Sequence, residues 1–283
     1  MNYKLSIIVA TYNSGRTLEE TIISIIGQTY KNIELIIIDG CSSDNTVDII
    51  RKYDSKVNYW ISEQDDGLYY ALNKGIDRAT GDYIEIIGSD DFFINNQIIS
   101  KVMAEIDDNV DILSTGCYVV DEKYNIQKYY GNAHAVNKKN FTGWMIPHAG
   151  MFVKTEIYRK YKFNTKYKIA ADYDFFLKCY NEKRIFFKFC NYPTYYFSLN
   201  GISSNLAEIE KENKLIRSEY KLNSEKERSY IAISIGLLNK SIKKILDVLG
   251  MGRLWRRKIS GWDLHNCNNY FCRWCRTKKG FYI

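Results

Sequence analysis

The chain has 283 residues, 46% hydrophobic and 26% charged, an ordinary globular composition that excludes a disordered, collagen-like or disulfide-dense chain. Its net charge of +7 is uneven: residues 1–205 hold 23 Lys/Arg against 25 Asp/Glu, and residues 206–283 hold 17 against 8. A near-neutral body thus carries a basic tail suited to an anionic partner, whether nucleic acid, an anionic membrane surface or an acidic protein.

The first element is the β-branched run Leu5 to Ala10, which stops at Thr11-Tyr12-Asn13-Ser14-Gly15 and reads as a buried strand running into a loop. Leu18, Ile22, Ile25 and Ile26 follow at helical spacing. Ile33 to Ile38 is a second strand ending at Asp39-Gly40, and Ser42 to Asn45 offers a cap for a helix through Val47 and Ile50. Val57 to Ser62 reads as a third strand, Leu68 to Ala79 as a helix, and Tyr83 to Gly88 as a fourth strand ending at Ser89-Asp90-Asp91. Strands alternating with helices predict βαβ units, an α/β fold and an open, mostly parallel sheet. Further strands are expected at 111–120 and 149–153, a helix at 170–180, and charged helical sequence from 206. The segments 1–105, 106–205 and 206–283 are the expected divisions.

Ligands of such sheets bind outside the carboxyl ends of the strands. That rule selects Thr11-Tyr12-Asn13, Asp39-Gly40 and Asp90-Asp91. Adjacent carboxylates such as Asp90-Asp91 either hold a hard divalent cation alongside substrate phosphates or simply occupy a turn that favours Asp. Asp39 is either a nucleotide ligand or a cap. No Gly-x-Gly-x-x-Gly or Walker sequence is present, which disfavours a dinucleotide fold or a P-loop.

Taken together, Thr11-Tyr12-Asn13, Asp39-Gly40-x-Ser42-x-Asp44, Asn73-Lys74-Gly75, Ala79-x-Gly81-Asp82, Ser89-Asp90-Asp91 and Ala171-Asp172-Tyr173-Asp174 resemble, in order and spacing, a family 2 glycosyltransferase of the GT-A fold. The resemblance covers residues 5 to about 200. The run Ser62 to Tyr69 and His148 ahead of Met151-Phe152 are similar to a subgroup of bacterial surface-polysaccharide clusters. What this resemblance implies is a Rossmann-like sheet and inverting transfer of one sugar from a UDP-sugar to a lipid-linked glycan. Thr11, Tyr12 and Asn13 would sit on the nucleotide, Asp39 would bond the uracil, and Ser42 and Asp44 would close that loop. Asp65, Asn73, Lys74 and Gly75 would line the uridine and sugar. Asp91 would reach Mn²⁺ or Mg²⁺ with Asp90 beside it, and Asp172 would be the catalytic base. Two departures from the family pattern stand out: Ala171 replaces an acid often found before the base, and Ser89-Asp90-Asp91 replaces Asp-x-Asp. Gln-x-x-Arg-Trp, the motif of processive synthases, is absent, which points to transfer of a single sugar. His148 either contacts the acceptor or packs in a bend, and Trp144 either stacks on a sugar or belongs to the core.

In the tail, Ile231, Ile235, Leu238, Ile242, Ile245 and Leu249 lie on one helical face, followed by Arg253, Arg256, Arg257 and Lys258 with Trp255 and Trp262. That face either packs on the body or lies on an anionic membrane surface that also holds an undecaprenyl-diphosphate-linked acceptor; the membrane reading is preferred for residues 231–283. His265, Cys267, Cys272 and Cys275 invite a zinc site, Cys272-x-x-Cys275 being half of a zinc-ribbon pattern, or else the three cysteines are free or lipid-modified thiols. Seven cysteines and no apolar signal core place the expected enzyme in the reducing cytosol, at the inner face of the membrane. The rivals are a nucleotidyltransferase, which usually bears a Gly-rich basic loop after the first strand, and a nucleic-acid-binding protein, which would need a basic body. No nucleic-acid partner is expected.

Overall fold

The computed structural model describes residues 2–121, 123, 125–131, 148–198, 206–222, 247 and 263–264. Strand β1 (Leu5–Thr11) lies between β2 (Ile33–Asp39) and β4 (Tyr83–Gly88), and β3 (Tyr59–Ser62) pairs with β2, all four parallel. Parallel neighbours need crossovers, supplied by α1 (Leu18–Ile26), α2 (Thr46–Lys52) and α3 (Leu68–Arg78). Side chains alternate across a strand, and both faces here are covered. Ile8, Ile36 and Ile38 pack with Leu72 and Ile76 of α3, while Ile7, Val9 and Ile37 pack with Ile22 and Ile25 of α1 and Ile50 of α2. This two-sided burial explains why these strands read as unbroken apolar runs.

Beyond β4 the sheet becomes mixed. Strand β8 (Met151–Lys154) is antiparallel to both β4 and β6 (Ile112–Asp121). Strand β7 (Ile126–Tyr130) forms a hairpin with β6, and β9 (Phe187–Ser198) runs parallel to β6 on its other side. The Tyr-rich stretch around Pro193 is therefore a strand. Pro193 is accommodated because the register with β6 shifts at Gly116 opposite it. The short β5 (Phe92–Phe93) adds to β9. Helices α4 (Ile98–Ala104), α5 (Thr155–Tyr161), α6 (Ala171–Asn181) and α7 (Leu206–Glu219) complete the described elements, with β10 (Asp263–Leu264). In β10, Asp263 and Leu264 pair with Gln127 and Ile126, so this piece of the basic tail lies on the edge of the sheet. The apolar face at 231–249, apart from Asp247, lies outside the described residues, as do His265, Cys267, Cys272 and Cys275. No described helix is long and apolar enough to cross a membrane.

A polar clamp closes the opposite end of the sheet from the site. Glu34 accepts hydrogen bonds from the Ser6 hydroxyl, the Thr80 N–H and hydroxyl, and the Lys4 ammonium at 2.5–3.1 Å. Burial alone would raise its carboxyl, but these bonds prevail and hold it below its ordinary 4.5. A depressed folded-state pKa stabilises the protein above the unfolded value and is lost as pH falls through the folded one. Urea unfolding midpoints are therefore expected to drop from about pH 5 to pH 3, and Glu34→Gln is expected to flatten that slope.

Candidate active site

Thr11, Asp39 and Ser62 end their strands on one rung of the sheet, and Ala10 stands opposite Gly88. The loops that follow β1, β2, β3 and β4 therefore emerge side by side. Asp39 is fully buried. Its carboxylate accepts from the Ser42 N–H at 3.0 Å, the Ser42 hydroxyl at 2.5 Å and the Ser62 hydroxyl at 2.6 Å, so it organises the loop from within. Asn13 adopts φ +49°, a conformation Asn tolerates better than most residues. From there its N–H donates to Ser42 Oγ at 2.7 Å and its Oδ1 accepts from the Ser43 N–H at 2.9 Å. Asp44 accepts from the Thr46 hydroxyl and N–H and from the Gly15 N–H; these bonds, the Thr46 hydroxyl foremost, hold its carboxyl below its ordinary value. At Gly15 a Cβ would lie 1.8 Å from Asn45 Oδ1, so any other residue there would have to displace that side chain. Tyr12 is 64% exposed beside Gly40, where a Cβ would lie 3.5 Å from the Tyr12 ring. An open aromatic face beside a buried carboxylate is a platform on which a nucleobase can stack.

Asp65 follows β3 with only 6% of its side chain exposed. Lys74 lies 2.5 Å from its Oδ1 and bridges to Glu63, while Asp65 Oδ2 has no hydrogen-bond partner among the described residues. A buried acceptor left unpaired costs free energy unless a ligand supplies the donor, which makes Asp65 a candidate ligand contact. Asn73 and Gly75 are placed differently. The Asn73 amide donates to the Phe163 carbonyl and accepts its N–H, both at 2.9 Å. A Cβ at Gly75 would lie 2.5 Å from Ile8 Cγ2, so Gly75 lets α3 sit close on β1. Both residues shape the wall from behind.

Gly88, Asp90 and Asp91 form the acidic corner. A Cβ at Gly88 would lie 2.8 Å from Asp91 Oδ2 and 3.1 Å from Asp90 Oδ1, so glycine allows both carboxylates to crowd there. Asp91 is buried and accepts the Ser198 N–H at 3.0 Å, whereas Asp90 is half-buried. The Ser14 and Ser89 hydroxyls, 2.8 Å apart, tie this corner to the loop after β1. No cluster of three or more His, Cys, Asp or Glu side chains occurs among the described residues. A Mg²⁺ or Mn²⁺ ion that takes one or two carboxylates and completes its shell with substrate phosphates and water fits this pair.

Asp172 stands in the first turn of α6 and accepts the Tyr173 N–H at 2.9 Å and the Tyr69 hydroxyl at 3.2 Å. Burial pushes its carboxyl up to about 6. Tyr69 belongs to the first turn of α3, immediately after the loop that carries Asp65, so its hydroxyl places Asp172 on the side of the sheet where that loop emerges. Phe163, held by Asn73, packs against Tyr69 and His148. His148 Nε2 has no hydrogen-bond partner among the described residues, and burial pushes its imidazole down to about 4. His148 is therefore neutral at physiological pH and can serve an acceptor as a hydrogen-bonding group but not as a cation. Beneath it, Glu85 is fully buried and accepts the Gly150 N–H at 2.6 Å; burial pushes its carboxyl well above the ordinary range. Trp144 lies outside the described residues. Sequence reasoning missed Phe163, which has no local signature. Glu85 was findable as an acid inside the apolar run Tyr83 to Ile87.

Residues 6–207 match the family model described as Glycosyl transferase family 2. An uncharacterized glycosyltransferase of Methanocaldococcus jannaschii is 30% identical over 186 residues, covering 62% of this chain. The match spans 64% of that relative's length. Among solved structures, Staphylococcus aureus TarS 1–349 in complex with UDP-GlcNAc superposes with TM-score 0.60 at 23% identity, over 80% of this chain and 69% of that one. The Pyrobaculum calidifontis mannosyltransferase PcManGT, in complex with GDP-Man and Mn²⁺, gives 0.61 at 17% identity, over 91% and 76%.

Proposed function

We infer, since the chain belongs to glycosyl transferase family 2, that it moves one hexose or N-acetylhexosamine from a UDP-sugar, with inversion, to a hydroxyl of a lipid-linked glycan in surface-polysaccharide synthesis. The observation that carries the reading is Asp172: a carboxylate bonded by the Tyr69 hydroxyl beside the Asp65 loop, with burial pushing it up to about 6, the range of an effective general base near neutrality.

In this reading the base ring stacks on Tyr12 and the loop tied by Asp39, Ser42 and Asp44 surrounds it, while Asp65 takes a hydroxyl of the ribose or sugar through Oδ2. Asp90 and Asp91 would hold Mn²⁺ or Mg²⁺, which supplies charge neutralisation for the departing diphosphate. Asp172 accepts the proton of the acceptor hydroxyl as its oxygen attacks the anomeric carbon. One displacement, with no covalent nucleophile, inverts the anomeric centre. His148, neutral and with Nε2 unbonded among the described residues, orients the acceptor.

Thermal shift and UDP or GDP release across UDP-glucose, UDP-galactose, UDP-GlcNAc, UDP-GalNAc and GDP-mannose test the donor. Stabilisation and turnover with a UDP-sugar are expected, and turnover confined to GDP-mannose would refute the uridine reading. GDP-Man is bound by PcManGT, which is why it belongs in the set.

The basic tail is proposed to hold the enzyme peripherally on anionic lipid. Residues 240–283 carry 11 Lys/Arg against two acids, and each basic side chain near such a surface contributes about 1 kcal/mol. The full chain is expected to co-sediment with phosphatidylglycerol-containing vesicles at low salt, to be released at high salt, and to ignore pure phosphatidylcholine. Equal partitioning onto both vesicle types would exclude this role.

A further inference from the structure

Residues 168–170 form the turn that leads into α6. Ala170 caps the helix with no side-chain hydrogen bond, so no local side chain satisfies the N–H groups of the turn. The missing partner comes from α7. Glu212 Oε1 accepts the Lys168 N–H at 2.8 Å, and Oε2 accepts the Ile169 N–H at 3.0 Å and the Ala170 N–H at 2.9 Å. Three successive N–H groups converging on one carboxylate make a nest, and each bond is charge-assisted. The Tyr69 hydroxyl grips the same turn by donating to the Ile169 carbonyl at 2.7 Å.

One face of α7 is built for this docking. Ile216 is fully buried, Glu219 accepts from the Lys166 ammonium and the Tyr167 hydroxyl, and the Tyr220 hydroxyl, one residue beyond the helix, donates to Asp174 Oδ1 at 2.9 Å. Positions 212, 216, 219 and 220 share a helical face. The family match ends at residue 207, so this latch lies outside the shared catalytic region.

The geometry points to Glu212 as a positioning residue for sugar transfer: by filling the nest at 168–170 it fixes where α6 begins, and so where the Asp172 carboxylate meets the acceptor hydroxyl. This rests on the reading of Asp172 as the base. Asp172 faces Tyr69 of α3, Tyr158 of α5 and Glu212 of α7. Glu212 brings the negative charge among these three, and it opposes ionisation of Asp172.

Glu212→Gln removes that charge and places an amide NH₂ against N–H donors. On the full chain, with the UDP-sugar it hydrolyses fastest, kcat is expected to fall by about 10- to 100-fold, the penalty of an ångström-scale misplacement, with the donor KM within about twofold. The acid limb of the kcat profile moves to lower pH, and Glu212→Asp recovers part of the rate. Amide hydrogen exchange at 168–170, which needs no donor, accelerates in Glu212→Gln. Wild-type kcat, an unshifted acid limb, or unchanged exchange at 168–170 would each overturn the inference. Asp172→Asn is measured alongside: if it is inactive while Glu212→Gln is wild-type-like, only the role of Glu212 falls. If Asp172→Asn keeps wild-type turnover, the base assignment falls and this inference with it.

Discussion

Asp172→Asn is expected to lower sugar transfer by about 10³-fold, the middle of the range for loss of a general base, while UDP affinity stays within about twofold. Asn matches Asp in shape and can still accept the Tyr69 and Tyr173 bonds through Oδ1, but it cannot take a proton. In the proposed reading the donor's nucleotide contacts come from the loops after β1, β2 and β3, which the substitution does not touch. In the wild type, burial holds the carboxyl near 6. Below that pH the base is protonated, so kcat/KM should climb through about pH 6, and this limb should vanish from the residual activity of the variant. The sign of the stability effect is opposite to that of Glu34. A folded-state pKa raised above the unfolded value means that ionised Asp172 costs stability at neutral pH, so Asp172→Asn should melt at or above the wild-type temperature. Turnover close to wild type would remove Asp172 from the role of base.

The second large effect separates the two acids after β4. Asp90→Ala is expected to weaken Mn²⁺-dependent UDP binding by about 10- to 100-fold, since a contact to a charged group contributes about 1.5–3 kcal/mol, with little change in melting temperature. Asp91→Ala should show the same loss and also melt lower. Asp91 is buried and accepts the Ser198 N–H, and leaving a buried donor unpaired costs about 1–3 kcal/mol, roughly 2–10 °C in a chain of this size. Chelation of the metal from the wild type should bring its UDP affinity to the Asp90→Ala level, measured by isothermal titration with and without Mn²⁺. Unchanged binding in both variants would exclude the acidic corner from donor binding.

Much of the segment 1–105 was legible in the sequence because its signals are local. Apolar β-branched runs ending in polar residues place strand ends, and parallel strands bring those ends to one edge. Thr11, Asp39 and Ser62 then fall on one rung. The segment 106–205 was less legible. Its strands pair antiparallel and across long separations, and β9 carries a proline that periodicity alone would read as a break. The charge of the tail was visible at once. That Asp263 and Leu264 return to the edge of β7 was not, because edge pairing leaves no pattern in two residues.

The site divides in the same way. Strand ends in the sequence singled out Tyr12, Asn13, Asp39, Asp90 and Asp91 as chemistry-bearing groups, and the family resemblance added Asp65 and Asp172. Only the packed structure decided which of them face outward and which serve the scaffold. Asn73 grips the Phe163 backbone and Gly75 admits Ile8, and neither partner is near in sequence. The environment of Asp172 likewise comes from α3, α5 and α7, over a hundred residues away in the case of Tyr69. A sequence can state that a carboxylate is present. Its pKa and its aim are set by burial and by the groups that long-range packing brings to it, and those are properties of the tertiary fold.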